Sequence, residues 1–385
     1  MNLVDDLNPP QREAAETASG PLLVLAGAGS GKTRVLTYRI AYLIREVDVR
    51  PWKILAVTFT NKAAGEMRER VMDLVGPDSR DIWLGTFHAV CAKILRYDGA
   101  KLGVDSRFTI YDEEDRRALV RTVLKSLDID QDDLTPRSVI AQISRAKNAM
   151  TDAALFAQEA GTSYQKQQVA EVYTAYQQAL ARNNAMDFDD LLFELVRRLQ
   201  QHEDVLEEYQ ARFEHILIDE YQDTNRPQYL LTRLLAKQHQ NICCVGDDDQ
   251  SIYQFRGADI RNILDFERDY PDAKIVRLEQ NYRSTGRILA AANAVIHNNT
   301  RRKGKNLWTD SAEGDPIELS ECGDDRSEAR QITEKIAGYI GERTPGEMAV
   351  LYRTNAQSRP LEQQLQSAGI NYEIVGGLRF YDRKE

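Results

Sequence analysis

The stretch LLVLAGAGSGKT, residues 22–33, constrains the chain more than any other. A short apolar run reads as a buried strand, and the glycine-spaced loop after it lets backbone N–H groups approach a phosphate closely. The next residues place Leu36, Ile40 and Leu43 along one face of a helix, so the loop opens onto a helix N-terminus where anions are favoured. Strand, glycine loop and helix occur in the order that a phosphate-binding loop requires. In the pattern G-x-x-x-x-G-K-[ST], Ala26 replaces the first glycine. The rest fits: Ala28, Gly29, Ser30 and Gly31 form the cradle, Lys32 would reach the β- and γ-phosphates, and Thr33 would hold Mg²⁺.

Similar apolar runs recur, each followed by a polar turn: KILAVTFT, HILIDE, NICCVGD, KIVRLEQ, MAVLYR and YEIVGG. Strands alternating with helical patterns predict an α/β fold built on a parallel sheet covered on both faces. Between Arg96 and Met186 the period changes from strand to helix. Leu119, Val120, Val123, Leu124 and Leu127 share one helical face, and Val169, Val172, Tyr173, Tyr176 and Leu180 share another. The expected organisation is a first α/β domain over 1–95 and 187–274, a helical subdomain inserted over 96–186, and a second α/β unit over 275–385, opening after the turn in DYPDAK. A length of 385 residues accommodates this at roughly 150 residues per domain.

A phosphate loop needs an acid to hold the metal and a group to polarise water. HILIDEYQD supplies both at a predicted strand end, Asp219 for Mg²⁺ and Glu220 for the attacking water. The chemistry implied is hydrolysis of ATP or another nucleoside triphosphate. A nucleotide kinase or small GTPase fits less well, because no N-K-x-D base-reading string occurs.

Cys91, Cys243, Cys244 and Cys322 form no C-x-x-C pair and read as small apolar residues of a reducing compartment. The start, MNLVDDLNPP, lacks a basic segment followed by an apolar one, and no apolar run is long enough to span a bilayer, so a cytoplasmic location is expected. The net charge of -10 offers no global basic footprint for nucleic acid. Any contact with DNA must be local and partly made by stacking.

The strings AGAGSGKTRVL, AVTFTNKAAGEMRERV, GTFH, MDFDDLL, LIDEYQDTN, VGDDDQSIYQFRGA, LEQNYRS and LYRTNAQSR together resemble the ordered motifs of superfamily 1A DNA helicases, the UvrD/PcrA/Rep group. The resemblance runs from Leu7 to Glu385. It implies RecA-like ATPase domains, with Gln11 on the adenine edge, Tyr282 stacked on the base, Arg283 at the γ-phosphate across a cleft, and Arg34 as a further phosphate neighbour. An arginine so placed stabilises charge as the γ-phosphate leaves and senses whether ATP is bound. Gln250 is suited to sense the γ-phosphate too.

Beyond Gln250, Tyr253, Phe255 and Arg256 form an aromatic and basic cluster suited to stacking on unpaired bases, although Tyr253 and Phe255 alone also read as core aromatics. Many relatives carry Trp where Phe255 stands. The family places Phe59, Thr60, Asn61, Thr86, Phe87 and His88 along the single-strand path, Phe188 in a base pocket, and Arg353 and Arg359 on the strand from the second domain. It implies ATP-driven 3′ to 5′ travel on single-stranded DNA, strand separation at single/double-strand junctions, and work beside repair or replication proteins, with no membrane partner.

GGLRFYDRKE ends the chain in a charged, helix-like segment, and the strings T-x-H-x-x-K-G-L-E and T-R-A are absent after Arg283. The expectation drawn is a shortened motor that binds nucleotide, hydrolyses it weakly and does not unwind processively. The competing expectation is a nucleotide-switched DNA-binding or partner-binding module without motor activity.

Overall fold

The computed structural model describes residues 3–130, 134–300 and 302–375. It divides into two compact units, residues 1–314 and 315–385.

The first unit is built on a six-stranded sheet. Its strands are β1 (Leu22–Ala26), β2 (Ile54–Thr58), β3 (Trp83–Thr86), β6 (His215–Ile218), β7 (Ile242–Gly246) and β8 (Lys274–Leu278), in the order β3-β2-β6-β7-β1-β8. Every pairing is parallel. Parallel strands need crossovers, and the helices that provide them cover both faces. β1 shows the consequence at side-chain level. Leu23 and Leu25 enter one core with Ile216, Ile218 and Cys244, while Leu22, Val24 and Ala26 enter the opposite core with Leu36, Ile40 and Leu43. Alternation along a strand thus fills two cores from one apolar run.

The inserted region packs its own core. Helices α1 (Pro9–Glu16), α2 (Lys32–Arg45), α3 (Asn61–Val75) and α4 (Phe87–Tyr97) belong with the sheet, whereas α5 (Glu113–Ser126), α6 (Pro136–Asn148), α7 (Ala153–Glu159) and α8 (Tyr164–Arg182) form the insert. Val120, Val123 and Leu124 of α5 meet Val169, Val172, Tyr173, Tyr176 and Leu180 of α8 there. Leu127 departs from the expected face and is 37% exposed, since α5 ends one residue before it. A short parallel pair also frames the insert, β4 (Thr109–Tyr111) with β5 (Ala185–Asp187), which helical periodicity did not reveal.

Other expectations differ from the structure. Lys274–Leu278, read as the opening of a second α/β unit, is the edge strand of the first sheet, with Leu23 opposite Ile275 and Val24 opposite Val276. An apolar run does not say which sheet it joins, because long-range pairing decides that. MAVLYR forms no strand, and neither do the described residues of YEIVGG. Leu351 is 93% exposed and Val375 86%, and a strand needs a ladder partner as well as an apolar sequence. The second unit instead shows helices Asp325–Tyr339 and Ser358–Ser367 packed together. Gly376, Gly377 and the rest of GGLRFYDRKE lie outside the described residues.

Candidate nucleotide and DNA site

The phosphate loop lies at the carboxyl end of β1. Gly29 and Gly31 adopt φ of +69° and +89°, left-handed values that glycine accepts without strain. At Gly29 the approach is also close: a Cβ would stand 2.7 Å from both the Asn281 amide nitrogen and the Arg283 Cβ. The loop is closed by Ser30, whose hydroxyl donates to the Gly27 carbonyl at 2.7 Å.

Lys32 and Glu220 meet across the sheet, the ammonium donating to the carboxylate at 2.8 Å. Glu220 follows β6 and has a left-handed backbone, φ 50° and ψ 46°, a strained conformation for a residue with a side chain. That turn separates it from its neighbour Asp219. Asp219 is buried and accepts from the Glu220 backbone N–H at 3.0 Å. Burial, then the adjacent Glu220 charge, pushes its carboxyl up to about 6, against the pull of Lys32. A buried carboxyl beside a second acid suits a divalent cation, whose charge would offset both penalties, which makes Asp219 with Thr33 the candidate ligands for Mg²⁺.

Gln222, unmarked in the sequence reading, organises this corner. Its amide nitrogen donates to Glu220 at 2.8 Å and to Asp223 at 3.3 Å, while its oxygen accepts from the Asp247 N–H at 2.9 Å. It therefore joins the end of β6 to the end of β7. Gln250 donates to the Asp247 carboxylate.

On the other side, Gln11 is buried within a capping box with Asn8 and donates to the Ser30 carbonyl at 2.8 Å. Tyr282 is 54% exposed, and its hydroxyl donates to Gln280 at 2.8 Å and accepts from Asn8 at 2.7 Å. The Tyr282 ring, exposed beside the start of α1, is accessible to a planar base. Arg283 follows at the loop, its N–H bonded to Asn281, which itself donates to the Ala28 carbonyl at 2.6 Å. Arg34 differs from its expected role: its guanidinium donates to the Asp6 carbonyl at 2.9 Å and lies over Tyr38. Asn8, Gln280 and Asn281 are further members that sequence reading missed, because their relevance depends on contacts spanning more than 250 positions.

Aromatic side chains continue from this site. Phe59 and Tyr253 stand 5.2 Å apart, and Tyr253 and Phe255 5.9 Å apart, with interplanar angles of 31° and 42°. Phe255 is 77% exposed, which suits stacking at the surface rather than a place in the core. The Arg256 side chain lies outside the described part of the structure. His88 and Phe188 form a second contact, edge to face at 5.8 Å. Burial lowers the His88 pKa, with Asp189 opposing, which favours the neutral ring with its one donor and one acceptor. Thr60 and Thr86 cap α3 and α4, accepting from the Ala63 and Ala89 N–H groups, and Asn61 is exposed at the start of α3. Phe87 departs from the surface role: it is 5% exposed and packs in the sheet core, since the first turn of α4 rotates it inward.

Phe188 is itself exposed, yet its neighbours are anchored deeply. Asp187 accepts from Lys147 at 2.8 Å and Tyr176 at 2.9 Å, Asp190 pairs with the same lysine at 2.8 Å, and Arg116 reaches Asp189 at 2.9 Å. These buried pairs present Phe188 at the start of a ninth helix, α9 (Phe188–Gln201). Arg353 and Arg359 are both exposed in the second unit.

Known proteins resemble this chain along its whole length. The family model described as UvrD/REP helicase N-terminal domain matches residues 7–271, and that described as UvrD-like helicase C-terminal domain matches 276–385. The chain is 52% identical over 385 residues to the ATP-dependent DNA helicase PcrA of Bacillus subtilis, covering all of this chain and 52% of that protein. It is 50% identical over 384 residues to the PcrA of Staphylococcus aureus strain Mu50, and 51% over 384 to that of Staphylococcus epidermidis, again with 52% of each relative covered. The chain thus spans about half the length of these relatives. Matches to both family models lend no support to the expected impairment of hydrolysis and unwinding. By these matches and the loop, acid pair and aromatic row in its structure, the chain belongs to the UvrD/REP helicase family.

Proposed function

We propose that this chain works as an ATP-driven motor on single-stranded DNA, moving 3′ to 5′ and opening duplex at single/double-strand junctions. The observation that carries the reading is the 2.8 Å contact of Lys32 with Glu220 beneath the phosphate loop. It brings the cation for the γ-phosphate and the acid for water to one point, as phosphoryl transfer requires.

Glu220 polarises water and takes its proton as oxygen bonds to the γ-phosphorus and the bridge to the β-phosphate breaks. Lys32 and Arg283 stabilise the departing charge, and Gln250 reports it to the aromatic row. Thr33 and Asp219 would hold Mg²⁺, which would supply positive charge to the phosphates when bound. Gln11, Asn8 and Tyr282 select the base of ATP. Bases stack on Tyr253, Phe255 and the His88–Phe188 pair, while Thr60, Asn61, Thr86, Arg256, Arg353 and Arg359 meet the strand's backbone. Stacking tolerates every base, which suits a motor on arbitrary sequence. A setting in repair or replication restart, in the cytoplasm, belongs to the same proposal; among the described residues no helix is long and apolar enough to cross a membrane.

Steady-state ATP turnover with and without single-stranded DNA, beside Lys32→Ala, tests it. DNA-stimulated turnover that vanishes in Lys32→Ala is the expected result. Tight ATP binding without turnover would instead identify a nucleotide-switched binding module.

A further inference from the structure

The stretch Arg302–Trp308 contains no residue used in the chemistry above, yet it contacts the surroundings of both nucleotide and DNA. Asp247, Asp248 and Asp249 follow β7 consecutively, with carboxylate oxygens within 4.8 Å of one another. Such a cluster would normally invite a cation, and the chain supplies its own. Lys305, 6% exposed, reaches Asp247 at 2.7 Å and Asp249 at 2.8 Å and also donates to Asp248. Arg302 adds a contact to Asp249 at 2.9 Å, and the Lys303 N–H donates to Asp248 at 2.6 Å. Burial works against the Lys305 charge, but Asp247 and its neighbours outweigh it and hold the ammonium above its ordinary pKa. A buried ammonium with this many partners fixes backbone position tightly, because any displacement leaves carboxylates uncompensated.

Two residues further on, the Leu307 side chain covers Gly27, where a Cβ would collide with its methyl groups. Trp308 then pairs with the strand exit: its N–H donates to Glu279 at 3.0 Å, and its carbonyl accepts from Asn281 at 2.7 Å. Asn281 is the residue bonded to Ala28 of the phosphate loop. One short segment is therefore tied at Lys305 to the loop that leads through Gln250 to Tyr253 and Phe255, and at Leu307 to the phosphate loop.

We propose that residues 302–308 form a strap transmitting nucleotide state from the phosphate loop to the DNA-contacting loop, with Lys305 as the positioning residue that anchors it. This rests on the motor reading above. The strap makes the two loops move together: a shift of Gly27 carries Leu307, and the Lys305 anchor passes it to Asp247–Asp249.

Amide hydrogen exchange on the 385-residue chain with and without ADP tests the strap independently of turnover. In the wild type ADP should slow exchange over both 27–33 and 248–256. In Lys305→Met, and in Leu307→Ala, which leaves every charge in place, protection over 27–33 should persist while that over 248–256 disappears. DNA-stimulated turnover should fall about tenfold in both variants while unstimulated turnover stays within about twofold, as expected when coupling rather than chemistry is lost. Should Lys305→Met fail to fold, Leu307→Ala decides alone. Undiminished protection over 248–256 in a folded variant, or its absence in the wild type, overturns the strap. Absent stimulation in the wild type would overturn the motor reading instead, with the exchange comparison still deciding the strap.

Discussion

Asp219 is the residue where burial and function pull against each other most measurably. Its folded-state pKa of about 6 exceeds the ordinary aspartate value of 3.8, so the neutral form is favoured by folding. That stability is present below pH 4 and is lost as pH rises through 6, a difference of about 3 kcal/mol. Thermal unfolding should therefore find Asp219→Asn more stable than wild type at pH 7.5, with the gap closing towards pH 4. A gap independent of pH would mean that the carboxylate is not penalised. Gly29→Ala is expected to cost about 1–2 kcal/mol from its left-handed backbone alone, read by chemical denaturation. Its Cβ would also press on Asn281 and Arg283, so ADP affinity should fall with it. Lys32, Thr33, Asp219 and Glu220 could all be picked out as candidates from local strings, since loop, strand and spacing are local features. Gln222 and Lys305 could not, because a glutamine or lysine acquires meaning only from the carboxylates that surround it.

Among the elements, α9 shows how an exposed ring, proposed above to meet a base, is presented by a buried ionic cluster. Lys147 is fully buried between Asp187 and Asp190. Removing one partner of such a set leaves a charge uncompensated, at a cost of about 3–5 kcal/mol. Lys147→Met should lower the urea midpoint accordingly and also weaken binding of a fluorescent oligonucleotide, since the Phe188 turn loses its anchor; an unchanged midpoint would contradict the cluster's role. Periodicity identified the helices on either side, α5 and α8, because amphipathic burial repeats every three or four residues. The β4–β5 pair was invisible to it, as strands of three residues carry too little alternation to register. β8 illustrates the reverse: its apolar run was plain, but its partner was misjudged.

Across the whole molecule, a net charge of -10 would restrict how DNA is held under the proposed function. Few phosphates can be neutralised, so the logarithm of affinity should fall only shallowly with the logarithm of salt. Titration of a single strand at several salt concentrations measures this, and a steep slope would replace stacking by electrostatic capture. Phe255→Ala should cost about 1–3 kcal/mol of binding with the salt slope unchanged, and Phe255→Trp should strengthen it. Local strings were enough to establish the α/β class and to mark the glycine loop and its neighbouring acids as a candidate site, since each depends on neighbours within one strand, turn and helix. Which sheet β8 joins, where Phe87 points, and how Lys305 links the aspartates of β7 to Gly27 arose only on folding. Those features depend on groups brought together from distant parts of the chain, and burial and charge compensation have no signature until that has happened.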